Sequence, residues 1–155
     1  MKAGKTPRRS GCPISYGLDV FGDKWTLLII RDLVFFGRRT YGEFLEAGEG
    51  IATNILAERL KRLEDGGILQ SRAAEKNRTK KIYSLTKKGA DLIPILVEMA
   101  LWGGAHDAKT AAPAAYLRRM RMDREEVIGE LRKRAMSPRV SGRSPLKEIM
   151  AGDRK

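Results

Sequence analysis

The sequence predicts a mainly α-helical domain carrying one small β-hairpin, an α+β arrangement. Three observations predict it. Apolar residues recur at helical spacing over 14–21, 24–35, 51–65 and 87–104. Two short β-forming runs, 68–73 and 81–85, flank the polar turn EKNRTK. The hairpin follows directly on the helix at 51–65, with only Gly66 and Gly67 between them.

At 155 residues the chain is long enough for one domain with a real core and an accessory segment. Residues 1–11 carry Lys2, Lys5, Arg8 and Arg9 without an acid, and read as a flexible basic arm. Pro13 opens a helix over 14–21 with Ile14, Leu18 and Phe21 on one side. Asp23 caps the next helix, 24–35, which is apolar nearly all round and so forms the centre of the core. Trp25 belongs to that core rather than to a ligand platform. Gly37, Arg38 and Arg39 make a basic turn.

Thr40 and Glu43 form a capping box for a short helix over 41–47 that buries Phe44 and Leu45. The link 46–50 holds Gly48 and Gly50, so the two helices around it have the spacing of a helix-turn-helix. In the second, Ala52, Leu56, Leu60 and Leu63 line one face, with Ile55 at its edge. Thr53, Asn54, Ala57, Glu58 and Lys61 lie opposite. A DNA major groove admits such a face, because small residues allow close approach and an amide can read a base edge. An ordinary amphipathic surface helix shows the same pattern, and only its neighbours separate the two readings.

The hairpin is such a neighbour. Arg72, Lys76, Arg78, Lys80 and Lys81 cluster on it against one acid, Glu75, so it reads as the basic wing of a winged helix-turn-helix. Thr86 caps a helix over 87–104 that Pro94 kinks or breaks. The apolar surface of 92–102 exceeds what one short domain needs, which points to a partner helix from a second subunit. Residues 107–115 read as a linker, and Asp123 and Glu126 cap a helix at 124–136. Residues 137–155, with two prolines and two glycines among scattered charge, are expected to be disordered. The organisation is thus an arm (1–11), a winged helix-turn-helix domain (12–106), a helical extension (107–136) and a tail (137–155).

In these features the chain resembles the HxlR family of bacterial transcriptional regulators, winged-helix proteins related in shape to the MarR group. The resemblance spans 12–106 and rests on four blocks: Cys12-Pro13, GDKWTLLIIRDL (22–33), GIATNILAERLKRLEDGGIL (50–69) and YSLTKKGADLIPIL (83–96). It implies a homodimer that binds an inverted-repeat operator in double-stranded DNA and dimerises through the helices at 14–21 and 87–104. It also implies a small-molecule or redox effector. Members often end soon after the segment matching 87–104, so residues 107–155 are a departure that affects both the dimer contacts and any effector site.

Composition narrows the alternatives. A net charge of +12 asks for a polyanionic partner. No glycine-rich phosphate loop, catalytic Ser/His/Asp set or metal-ligand spacing points to an enzyme or to a cofactor. One cysteine and one histidine, Cys12 and His106, do not make a metal site. No stretch has the ~20 apolar residues of a membrane span, and nothing directs the chain out of the cytoplasm. A general, sequence-indifferent nucleic-acid binder remains the alternative. RNA modules usually stack bases on sheet aromatics, whereas Tyr83 is the only aromatic in this hairpin.

Roles then divide by chemistry. Thr53, Asn54, Ala57 and Glu58 are the candidate base readers. Glu58 has a competing use, an intrahelical pair with Arg62. Arg38, Arg39, Lys61, Arg78 and Lys80 are the candidate phosphate contacts. Some members of the resembling family sense oxidants through a cysteine at the position of Cys12. Arg8 and Arg9 lie close in sequence, and positive charge favours the reactive thiolate. The competing reading is a buried, inert thiol. Without that sensor, the effector site falls between residues 14–30 and 92–102.

Overall fold

A computed structural model describes residues 9–138 and 142–152. The first helix is α1 (Pro13–Phe21), followed by α2 (Lys24–Phe36). Asp23 caps α2 as expected, accepting from the amides of Trp25 and Thr26. The Thr40–Glu43 capping box is complete and starts α3 (Tyr41–Leu45). The second helix of the helix-turn-helix, α4 (Thr53–Asp65), begins two residues later than the sequence indicates. It ends in a paired C-terminal motif: Gly67 N–H donates to Glu64 O and Ile68 N–H to Leu63 O, each at 2.9 Å. That motif needs a left-handed residue, which Gly67 supplies at φ 70°.

The strands β1 (Leu69–Ala73) and β2 (Lys81–Leu85) pair antiparallel, with Leu69 opposite Leu85 and Ala73 opposite Lys81. The arrangement is therefore the predicted one: mainly helical, with a two-stranded wing after α4. The single helix expected over 87–104 is two. A short α5 (Lys87–Ala90), capped by Thr86, gives way at Asp91–Leu92 to α6 (Ile93–His106). Pro94 sits in the first turn of α6, where a missing N–H costs no hydrogen bond.

The extension departs furthest from expectation. It contains α7 (Ala114–Met122), α8 (Arg124–Met136) and α9 (Pro145–Ala151). Residues 145–151, expected to be disordered, form a helix capped by Ser144, with Leu146 and Ile149 buried. The rest of the expected tail at 139–141 and 153–155, and most of the basic arm (1–8), lie outside the described residues. Asp123 makes no side-chain cap for α8; it pairs instead with Arg119 at 3.2 Å.

One apolar core joins both parts of the chain. Ile30, Leu33 and Val34 of α2 and Leu56, Leu60 and Leu63 of α4 share it with Val127, Leu131 and Ala135 of α8. Helix α2 touches α1, α4, α6, α8 and α9, and so sits at the centre. Helix α7 lies close against α6: a Cβ added at Gly104 would come within 2.4 Å of Leu117. Among the described residues no helix is long and apolar enough to cross a membrane.

Candidate nucleic-acid interface

The interface is built on α4. Leu56, Leu60 and Leu63 turn inward and fix the helix against the core, which leaves Thr53, Asn54, Ala57, Glu58 and Lys61 exposed on its outer side. The N-cap residue Ala52 makes no side-chain cap, so the first-turn amides lack that partner within the helix.

Three contacts hold the helix in place. Arg59 Nε donates to Asp23 Oδ1 at 3.0 Å, tying α4 to the start of α2. The Tyr41 hydroxyl donates to the Thr53 carbonyl at 3.0 Å. Arg62 Nη2 donates to the Asp19 carbonyl of α1 at 2.6 Å. Burial works to raise the Asp23 carboxyl, but hydrogen bonds from Thr26 and Arg59 outweigh it and hold the group below its ordinary value. Sequence reasoning missed Tyr41 and Arg59. Tyr41 has a local signal, an aromatic hydroxyl in the first turn of α3; Arg59 has none, since its partner lies 36 residues away.

Glu58 does not take the competing intrahelical pair with Arg62. It pairs with Arg59, while Arg62 reaches Asp19. Lys61 pairs with Asp65 at 2.7 Å, both largely exposed. Such a surface pair is worth little and yields readily to a phosphate.

The wing supplies the cations. Arg78 and Lys80 are exposed at its tip. Lys81 is held to α4, donating to Glu64 at 3.2 Å, and Glu64 raises its pKa. Between the start of α3 and the wing runs an open cleft of about 770 Å³, lined by Thr40, Glu43, Arg72, Lys76, Asn77 and Lys80.

Arg39 has to be removed from the phosphate contacts. It is 4% exposed, and its guanidinium donates to main-chain carbonyls of the protein itself. Burial lowers its pKa, against the raising influence of Glu43. Arg38 is also engaged: Nη1 donates to the buried Asp32 at 2.9 Å, and the guanidinium lies 5.0 Å from the Phe36 ring.

Cys12 is exposed, which removes the buried-thiol reading. It caps the backbone of α1, its carbonyl accepting from Tyr16 N–H at 3.1 Å. Arg9 does not serve the thiol; it pairs with Asp19 at 3.0 Å. Among the described residues no group of three or more His, Cys, Asp or Glu is placed to hold a metal ion.

Helices α1 and α6 carry further exposed apolar surface. Helix α1 buries none of its residues, leaving Ile14 73% and Leu18 56% exposed. On α6, Ile95, Met99 and Trp102 form an exposed stripe, with Trp102 at 69%. With Pro94 they line an apolar groove of about 580 Å³, rimmed by Glu98 and Arg124, which pair at 2.7 Å.

The sequence model of the HxlR-like helix-turn-helix family matches residues 20–111, which include α2, the helix-turn-helix, the wing and α6. The chain belongs to that family. An uncharacterised helix-turn-helix transcriptional regulator of Synechocystis, sll1512, is 36% identical to this HxlR-family chain over 88 residues. The match takes in 57% of this chain and 64% of that relative. Among solved structures, PA1607, a proposed transcription factor, superposes with a TM-score of 0.60 at 37% identity, covering 68% of this chain and 74% of that one. The redox regulator HypR in its oxidised form gives a TM-score of 0.54 at 30% identity, covering 62% of this chain and 98% of HypR. The family match ends at residue 111, before α7, so helices α7, α8 and α9 lie beyond it.

Proposed function

We propose that this HxlR-family chain is a sequence-specific, DNA-binding transcriptional regulator that acts as a homodimer on an inverted repeat. The observation that carries the reading is the outer face of α4, short and hydrogen-bonding, beside a wing whose basic tip is exposed. Thr53, Asn54, Ala57 and Glu58 read base edges, and Asn54 suits adenine N6 and N7. Lys61, Arg78 and Lys80 contact phosphates, joined by Lys76 of the cleft. The apolar surfaces of α1 and α6 support a second copy as partner. Two recognition helices would then enter successive major grooves about 34–36 Å apart.

Mutation separates readers from clamps. Asn54→Ala is expected to cost about 1–3 kcal/mol per half-site on the selected operator and little on random duplex. Arg78→Ala is expected to weaken both and to flatten the log–log salt slope by about 1 per lost phosphate contact. Titration of both variants against both duplexes reads this out. Equal loss on both duplexes for Asn54→Ala would favour the general binder that the net charge of +12 also allows.

The exposed thiol supports a redox response at Cys12. HypR, of similar fold, is a redox regulator. With one cysteine per chain, oxidation links two copies or joins Cys12 to a small thiol. Diamide is expected to release the wild type from its operator, reversibly by dithiothreitol, and to spare Cys12→Ser. An identical response of the two proteins in a band-shift assay would return the effector question to the space between residues 14–30 and 92–102, where a small molecule would bind.

A further inference from the structure

We propose that Arg39 is a positioning residue, one that locks the end of α8 to the wing and so sets the wing's pose on DNA without touching DNA. The proposal rests on the DNA-binding reading above and extends it to the helices beyond the family match.

The last carbonyls of any helix lack partners within it and carry the negative end of its dipole. In α8 those carbonyls converge on one cation. Arg39 Nη1 donates to Ala135 O at 3.0 Å and Ser137 O at 3.1 Å, and Nη2 donates to Arg134 O at 2.5 Å. The same Nη1 lies 3.4 Å from Tyr83 O in β2. The main chain of Arg39 is tied to β2 as well, its carbonyl accepting from Tyr83 N–H at 2.7 Å. A planar guanidinium suits this set because it presents several donors in a fixed fork, which an ammonium does not.

The other strand is tied to the same place. Arg72 Nη2 in β1 donates to Pro138 O at 2.9 Å. Both strands are therefore fastened to residues 134–138. Those residues end a helix whose Val127, Leu131 and Ala135 lie in the central core. The basic tip, Lys76 to Lys80, lies just beyond Ala73, so any pivot at this base is magnified where phosphates are met. Residues 134–138 follow the family match, so this chain braces its wing with a segment outside it.

The test uses the full chain and a duplex selected by the wild type from random sequences. Arg39→Lys keeps the charge without the fork; Arg39→Met keeps only the stem. Affinity is measured at several salt concentrations, and hydrogen exchange is followed at 69–73, 81–85 and 134–138. Both variants are expected to bind about tenfold more weakly, the size of losing charge-assisted hydrogen bonds. The salt slope is expected to keep its wild-type value, since no phosphate contact is lost. Exchange is expected to quicken in all three segments. Wild-type affinity for Arg39→Lys, with a slope flattened by about 1 per subunit in Arg39→Met, would make Arg39 a phosphate contact and overturn the proposal.

Pro138→Gly covers the case in which Arg39→Met does not fold. It changes an exposed residue and loosens the backbone that carries the carbonyls. Faster exchange with weaker binding at unchanged slope supports the lock; wild-type exchange and affinity overturn it. A wild type that binds no duplex would sink the DNA-binding reading, while exchange in the variants still reports whether Arg39 holds α8 to the strands.

Discussion

A chain carrying Leu18→Glu and Trp102→Glu is expected to be monomeric at micromolar concentration and to lose about 10²–10⁴-fold in operator affinity. That is the usual gain from linking two binding events into one. The side chains lie on α1 and α6, at 56% and 69% exposure, so a lone copy tolerates the carboxylates in water. In a dimer they would be forced into an apolar contact without partners, which is strongly unfavourable. Light scattering gives the mass and far-ultraviolet circular dichroism checks that helix content is unchanged. A dimer that survives both substitutions would place the second copy on another surface.

Leu131→Ala is expected to destabilise the whole domain by about 2–5 kcal/mol and lower Tm by about 6–15 °C. Leu131 is fully buried in α8, in the same core as Leu33, Leu60 and Val97. An appended, independent extension would melt by itself and leave the main transition unmoved. The shared core predicts one cooperative transition that moves as a unit. Calorimetry distinguishes the two: a separate low-temperature peak would divide the molecule at α7.

The winged helix was legible because its signals are local. Asp23, Thr40 and Thr86 cap where their sequence context says they cap, and the leucines of α4 are buried as their spacing requires. The extension was harder for physical reasons. In α7 only Met120 is fully buried and no side-chain cap marks the start, so its short apolar face of Tyr116, Leu117 and Met120 gives a weak signal. In α9 the signal is present but short: Ser144 as cap, Pro145 in the first turn, and Leu146 and Ile149 three apart. A seven-residue helix among prolines, glycines and charges is stable only through what it packs against, here α2 and α8.

The candidate site divides in the same way. Which residues of α4 face outward followed from periodicity alone. Arg39 did not, because a basic residue in a turn looks the same whether it meets a phosphate or a helix end 95 residues away. Glu58 likewise had a local partner at i+4 and takes an adjacent one, since Arg62 is drawn to the carbonyl of Asp19.

The split of α4 into an inner row of leucines and an outer row of short polar residues has a consequence for how this protein can change. The leucines hold the fold, and Thr53, Asn54 and Ala57 contribute almost nothing to it. Under the proposed reading, exchanging those three is expected to alter which bases are recognised while leaving folding intact, since all three are exposed. If α4 reads DNA as proposed, duplicated copies of the gene would be able to diverge toward new operators through a handful of surface substitutions. A library randomised at just these positions is the natural starting point for redirecting the protein to a chosen site.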